Sequence, residues 1–378
     1  MLSHFFGPKP LAFDGPTLQQ TNPDAKPVTL LTGFLGSGKT TLLNDLLADP
    51  RLADTAVVVN EFGSVSVDHH LVRRGREQYM VTSTGCICCL ATSDIRASLF
   101  ELLEAHRQGL APAFSRVIIE TTGLADPAPI VNSLIPGGTP ASALRDHTVA
   151  RSFRLAGVVT AFDSVCGRET LDTHLESWKQ LAFADHIVLT KTDLPPLASQ
   201  ETLPLLNDLN PAAQIHDRHQ PAFDVASLIG NGSYHVSGKP EDVSGWLAVE
   251  RLASADGHAG DHDINRHGDR ILALPLFHDE PLDPRAVEGF LNIMTSQHHG
   301  RILRLKGLFA LTDDPGRPLV VHAVQNRLYS PIRLDYWPDI DVRSRVIIIG
   351  TDLPTEPIRD LFNALLPRAS RKNRKGEQ

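Results

Sequence analysis

Gly33-Phe34-Leu35-Gly36-Ser37-Gly38-Lys39-Thr40 constrains this chain more than any other stretch, because it satisfies every fixed position of the G-x-x-x-x-G-K-[ST] pattern. The pattern carries a mechanism. Its glycines let successive backbone N–H groups curl round phosphates, and the N-terminus of the following helix adds its positive dipole. Both flanks suit that role. The apolar run Val28-Thr29-Leu30-Leu31 reads as a buried strand, and Leu42, Leu43, Leu46 and Leu47 recur afterwards at helical spacing. The expected fold class is therefore α/β, built on a P-loop NTPase domain. There Lys39 would reach the β- and γ-phosphates, and the Thr40 hydroxyl would ligate Mg²⁺. Thr41 is counted with the nucleotide-binding residues. A glycine-rich turn that binds nothing is the alternative, and this context argues against it.

Further short apolar runs at 56–59, 117–119, 157–159 and 187–189 alternate with stretches of helical period. Continuous rather than alternating apolar runs predict strands buried on both faces, which means a mostly parallel sheet covered by helices. One such helix places Ile95, Leu99, Leu102 and Leu103 on one face, with Ser93 or Asp94 expected as its N-cap. Two strand ends then carry chemistry. The run 117–119 leads into Glu120 and Thr121-Thr122-Gly123, where a carboxylate can hold Mg²⁺ or its water and the Gly123 N–H can approach a γ-phosphate. The run 187–189 leads into Thr190-Lys191-Thr192-Asp193. A carboxylate there can accept from the N1–H and exocyclic amine of guanine, while Lys191 lays its stem across the base. Asn60-Glu61-Phe62-Gly63 occupies the place of a switch loop, with Asp68 the carboxylate to watch beyond it.

Gly85-Cys86-Ile87-Cys88-Cys89 crowds three of the four cysteines into one tetrapeptide. Lying just ahead of a predicted helix, these thiols are biased towards thiolate. Soft sulfur at this density suits Zn²⁺ or Cu(I). Three ligands are one short of a closed site, so the fourth is left to water, Cys166, a carboxylate, a histidine or a client's side chain. Buried structural cysteines or a redox pair are the alternatives. His258, His262 and His267 with Asp256, Asp261 and Asp263 form a second polar stretch, read as a solvated linker rather than an auxiliary metal site. His298-His299 reads as a helix end.

Composition narrows the class. Lys+Arg 36 against Asp+Glu 44 leaves a net charge of −8, which argues against nucleic-acid binding through bulk electrostatics. Apolar residues at 42% and charged residues at 21% are ordinary globular usage. No apolar run approaches the ~20 residues that span a bilayer, the start lacks the pattern of a secretory signal, and clustered thiols favour a reducing compartment. A cytoplasmic protein is expected. The chain divides into five segments: a disordered arm over 1–26, a P-loop GTPase domain over 27–220, a linker over 221–268, an α+β domain over 269–367 and a basic tail over 368–378. In the second domain, runs at 271–277, 302–311, 319–324 and 346–349 predict strands, and 285–294 and 356–366 predict helices.

In their order along the chain, these motifs resemble the CobW-like metallochaperone GTPases, P-loop relatives of the urease and hydrogenase nickel-insertion GTPases. The P-loop, Asn60-Glu61-Phe62-Gly63, Cys86-Ile87-Cys88-Cys89, Glu120-Thr121-Thr122-Gly123 with Ala125-Asp126-Pro127, and Thr190-Lys191-Thr192-Asp193 carry the likeness. Leu303-Arg304-Leu305-Lys306-Gly307, Val324-Gln325 and Arg343-Ser344-Arg345 extend it into the CobW C-terminal domain. The resemblance implies a GTPase that uses GTP with Mg²⁺, binds a transition metal at Cys86, Cys88 and Cys89, and couples hydrolysis to delivery into a client metalloprotein. Zn²⁺ is the expected metal, with Co²⁺, Fe²⁺ and Ni²⁺ as alternatives, and nucleotide- or metal-dependent homodimers are expected by analogy. Three positions depart from the family pattern: Ser64 where an acidic residue is common, Ser66 where glycine is usual, and Thr190 in place of the asparagine of the fullest guanine motif. The rival functions are an iron–sulfur or other metal scaffold or sensor with P-loop NTPase activity, and a P-loop small-molecule kinase.

Overall fold

The computed structural model describes residues 17–18, 24–60, 79–82, 92–111, 113–135, 144–194, 202–229, 271–297, 301–325, 327–329 and 331–365, with backbone alone at 17–18, 60, 79–82 and 92–94. Two sheets organise them. The first has strand order β4-β3-β5-β2-β6-β7-β8, in which β2 is Lys26–Thr32, β3 Thr55–Asn60, β4 Tyr79–Thr82, β5 Arg116–Glu120, β6 Phe153–Asp163, β7 His186–Thr190 and β8 Gln214–Asp217. Every pairing in it is parallel. All five strands expected in this half are present, each longer than its apolar run.

Burial on both faces explains why those runs do not alternate. From β2, Val28 and Leu30 point to one side and Leu31 to the other; in β5, Val117 and Ile119 split from Ile118 in the same way. One side is covered by α2 (Thr92–Arg107), α3 (Pro127–Leu134) and α4 (Leu144–Ser152), which contribute Ile95, Leu99, Ile130, Val131 and Val149. On the other lie α1 (Lys39–Ala48), through Leu42, Leu43 and Leu46, and a 3-10 turn at Val225–Ile229, through Leu228. Helix α2 begins at Thr92, ahead of the expected Ser93 or Asp94 cap. The motif Ala125-Asp126-Pro127 is a helix start: the Asp126 carboxylate accepts from the Ala128 N–H at 2.9 Å, and Pro127 takes the first turn, where its missing N–H costs nothing.

The second sheet has order β1-β12-β11-β10-β14-β9, with β13 also on β11. Its strands are β9 Ile271–His278, β10 Ile302–Leu311, β11 Asp314–Val324, β12 Arg327–Tyr329, β13 Ile332–Arg333 and β14 Ser344–Thr351. They pair antiparallel. The exception is β1, Thr17–Leu18, which joins β12 in parallel and so brings part of the expected 1–26 arm into the sheet. Antiparallel sheets often leave one face wet, yet β14 is buried over seven successive residues. Val346 and Ile348 pack under α8 (Pro284–Gln297) and α9 (Thr355–Asn363), while Ile347 and Ile349 join the core of the first domain.

That junction holds a buried ion cluster. The side chains of Arg304 and Lys306 of β10, each 1% exposed, reach that of Asp185, 2% exposed and immediately before β7. Lys306 Nζ lies 3.0 Å from Asp185 Oδ1, and the Arg304 guanidinium donates both to Asp185 and to the carbonyls of Phe183 and Ala184. The other carboxylate oxygen accepts from the Val158 N–H at 2.9 Å. Asn132 of α3 also donates to Gln325, the left-handed residue between β11 and β12. Among the described residues, no helix is long and apolar enough to cross a membrane.

Candidate nucleotide site

The carboxyl ends of β2, β5, β6, β7 and β8 lie along one edge of the parallel sheet, where an open α/β sheet binds its ligands. The phosphate loop leaves β2 at Gly33, whose φ is +139° and whose absent Cβ would stand 2.4 Å from the Ala161 carbonyl oxygen. A side chain there is excluded twice, by backbone conformation and by the neighbouring strand. Ser37 N–H donates to the Phe34 carbonyl at 3.1 Å, closing the turn, and the Lys39 ammonium donates to the same carbonyl at 3.0 Å. Lys39 and Thr40 are both buried at the start of α1.

Glu120 ends β5 directly opposite. Its buried carboxylate accepts from the Thr40 hydroxyl at 2.8 Å, so the two expected Mg²⁺ residues stand side by side. Thr121 anchors the chain beyond the strand, its N–H donating to the Leu31 carbonyl at 3.0 Å and its hydroxyl to Thr32 at 2.9 Å. Gly123 then passes so close to the phosphate loop that a Cβ would lie 2.5 Å from the Leu35 nitrogen. Gln180 of α6 (Leu175–Phe183) holds this segment from behind, donating to the Gly123 and Ala125 carbonyls at 3.0 Å each. The Ser37 and Thr122 hydroxyls are buried without a hydrogen-bond partner among the described residues. Two orphaned hydroxyls, an ammonium and a hydroxyl–carboxylate pair suit an anionic ligand accompanied by a hard cation.

Residues 190–193 leave β7 beside the phosphate loop. Thr190 is buried, and its hydroxyl donates to the Ser37 carbonyl at 2.8 Å and stands 3.1 Å from that of Phe162. Threonine in place of asparagine therefore still ties this loop to the phosphate loop. Lys191 adopts a left-handed φ of +56°, with its ammonium 2.6 Å from Asp163 at the end of β6. Burial pushes the Asp163 carboxyl up, but Lys191 and the Cys166 and Val165 N–H groups outweigh it and hold it below the ordinary carboxylate range. Asp193 is half exposed, 3.2 Å from the imidazole of His219.

The phosphate loop, Glu120 to Gly123 and 190–193 thus converge at one edge of the sheet. Cys86, Cys88 and Cys89, Glu61 to Asp68, the His258 to His267 stretch, His298-His299 and the basic tail lie outside the described residues. Sequence reasoning missed Asp163, Gln180, Asp217 and His219. Asp163 had a usable signal, a carboxylate closing a buried apolar strand as Glu120 does; Asp217 ends a strand with no apolar run and Gln180 sits inside a helix, so neither had one.

Two family models match. Residues 27–217 match the CobW/HypB/UreG nucleotide-binding domain, and residues 273–366 match the cobalamin synthesis protein cobW C-terminal domain. The chain is 31% identical over 338 residues to the zinc chaperone YjiA of Escherichia coli (strain K12), covering 89% of this chain and 98% of that one. It is 25% identical over 383 residues to the zinc chaperone CobW of a Sinorhizobium species, covering 93% and 100%. The crystal structure of Zn(II)-bound YjiA GTPase from E. coli superposes with a TM-score of 0.64 at 25% identity, covering 91% of this chain and 99% of that chain.

Proposed function

The chain belongs to the CobW family of GTPases, and from that membership we propose that it is a GTP-driven metal chaperone that carries zinc on Cys86, Cys88 and Cys89 to a client metalloprotein. One observation carries the nucleotide half of this reading. The Thr40 hydroxyl, the Glu120 carboxylate and the Lys39 ammonium meet at the mouth of one phosphate loop. Lys39 neutralises charge on the β- and γ-phosphates. Thr40 and Glu120 are the residues to hold Mg²⁺, which when bound supplies further charge neutralisation. The backbone N–H groups of the phosphate loop cradle the phosphates, and the Gly123 N–H meets the γ-phosphate. Asp193 reads the N1–H and exocyclic amine of guanine, with Lys191 alongside the base.

Chain connectivity supports the metal half. The thiols belong to the segment between β4 and α2, two elements of the same parallel-sheet domain, and that segment precedes the strand ending at Glu120. Three soft thiolates suit Zn²⁺ and leave a coordination position for transfer to a client. The names of the relatives, zinc chaperones and zinc-bound GTPase, agree with this choice of metal. The test is metal analysis of the purified chain, with and without GTP, on the parent and on a variant with Cys86, Cys88 and Cys89 all changed to serine. The parent should retain one tightly bound zinc per chain and the variant none. Equal zinc in both would remove the thiols from the function.

A further inference from the structure

The phosphate and base loops leave Gln180 without a task, although it is 1% exposed and commits both amide protons to the segment after Glu120. Its Oε1 is buried with no hydrogen-bond partner among the described residues. Turning the amide over would set that oxygen against two carbonyl oxygens, so the network fixes its orientation. A buried acceptor left unmet is costly, and α6 bears that cost in order to place two donors on residues 123 and 125.

Peptide geometry shows what those donors hold. The Ala125 N–H donates to the Thr122 carbonyl at 3.1 Å, which makes 122–125 a turn with Gly123 and Leu124 at its tip. In a planar trans peptide the C=O and N–H point opposite ways, so pinning the Thr122 carbonyl inside the turn aims the Gly123 N–H out of it. Gln180 fixes the carbonyls of Gly123 and Ala125, on either side of the tip. Upstream, Thr121 is tied to Leu31 and Thr32 of β2. Downstream, the ammonium of Lys179 lies 2.9 Å from the Asp126 carboxylate that caps α3. With both flanks held, the Gly123 N–H keeps one direction.

The helix that carries Gln180 is itself anchored. The Thr160 hydroxyl of β6 donates to the Gln180 carbonyl at 2.8 Å. At the C-terminal end of α6, where carbonyls lack intrahelical partners, Asn210 donates to those of Leu181 and Ala184 at 2.8 and 3.0 Å. Arg304 of the second domain donates to those of Phe183 and Ala184. A donor on so fixed a post can hold a loop to the tolerance that a phosphate contact demands.

We propose that Gln180 is a positioning residue for the γ-phosphate: it presents the Gly123 N–H to that group and thereby sets the preference for GTP over GDP. This rests on the reading of Gly123 as the γ-phosphate contact. GDP shares the phosphate-loop and base contacts and forfeits this one.

The readout is the ratio of affinities for a non-hydrolysable GTP analogue and for GDP, each with Mg²⁺, measured by calorimetry. Gln180→Met keeps the length and bulk of the side chain without its donors. The ratio should fall ~10-fold, equivalent to ~1.4 kcal/mol, while GDP affinity stays within ~2-fold of the parent. Lys179→Met, on the partly exposed side of α6, loosens only the grip on Asp126 and should lower the ratio ~3-fold. A purely structural Gln180 would weaken both ligands alike, so a parent-like ratio in Gln180→Met overturns the proposal. Should that variant not fold, a parent-like ratio in Lys179→Met overturns it alone. The underlying reading has its own signal in a chain labelled with 15N-glycine. The Gly123 amide proton of the parent should move downfield when the analogue replaces GDP, and that shift should shrink in Gln180→Met. No shift in the parent removes the Gly123 contact and this proposal with it. A parent-sized shift and ratio in Gln180→Met remove Gln180 alone.

Discussion

Asp185→Ala should do more damage than any surface substitution, although Asp185 touches no nucleotide. Its carboxylate is shared by Arg304 and Lys306 inside the domain junction, with all three side chains at most 2% exposed. Removing one partner of a buried ion pair costs ~3–5 kcal/mol, because the remaining charge is left in a low-dielectric setting. Here two cations lose the same carboxylate, and the Val158 N–H loses its acceptor, a group worth ~1–3 kcal/mol when stranded. These contributions overlap, so the expected loss is at least ~4 kcal/mol, a large part of the ~5–15 kcal/mol of a whole domain. The assay is urea unfolding followed by circular dichroism and, in a Trp246→Phe background, by the fluorescence of the two remaining tryptophans, Trp178, in α6, and Trp337, in the second domain. In the parent the probes should move together; in Asp185→Ala they should separate as the junction opens first. Asp185→Asn keeps an acceptor for Val158 and should fall between the two. An apolar triple replacement, Asp185→Leu with Arg304→Met and Lys306→Met, should recover most of the loss. A shift below ~1 kcal/mol for Asp185→Ala, with coincident probes, would refute the reasoning and show that these charges are relieved by solvent.

Particular contacts support three further expectations. Lys39→Ala should lower kcat for GTP ~10²–10³-fold through lost charge stabilisation, and full turnover in a single-turnover assay would dismiss the assignment. Thr190→Val keeps the side-chain shape but loses the bond to the Ser37 carbonyl, so GDP should bind ~5-fold more weakly by fluorescence titration; unchanged affinity would show that this tie does not position the loops. His186 is held down to about 4, chiefly by burial, while neighbouring Asp185 opposes and His216, Lys306 and Arg304 assist. Between that value and its unfolded value near 6.5 the unfolded chain binds the extra proton. Stability should therefore rise with pH across this window, by on the order of 3 kcal/mol, and His186→Phe should flatten that segment of the urea midpoint-against-pH curve.

Strands buried on both faces announce themselves, and so β2, β3, β5, β6 and β7 are readable from apolar runs, whereas the flanking strands β4 and β8 are short, mixed in polarity and not readable in this way. Glu120 stands out because a carboxylate interrupts such a run at its end. Asp163 does the same at the end of β6, while Asp217 ends a strand with a single apolar residue; the roles of both depend on β6, β7 and β8 lying side by side, and strand order leaves no trace in local periodicity. Strands β1, β12 and β13 are two or three residues long, too short to show a period, and are defined by the partners that β11 and β12 provide. Arg304 and Lys306 are visible as charges in an apolar strand, yet only the packing of β10 on the first domain supplies Asp185 as their reason. Gln180 obeys the same rule: unremarkable in sequence, it gains meaning from the turn at 122–125 that it holds.

The central proposal is that the phosphate and thiol sites are coupled, and zinc affinity measured in defined nucleotide states tests it most directly. The thiol segment follows residues 60–68 and precedes the strand that ends at Glu120, so it lies on the chain that leads to the phosphate site. Zn²⁺ is titrated against a competing chelator with Mg²⁺ and a non-hydrolysable GTP analogue, with Mg²⁺ and GDP, and with no nucleotide. The account predicts tightest zinc binding with the analogue, by ~5–150-fold over GDP, and by linkage the same factor for the effect of Zn²⁺ on affinity for the analogue relative to GDP. Equal zinc affinity in all three states would contradict it and leave a GTPase whose metal binding is independent of its nucleotide.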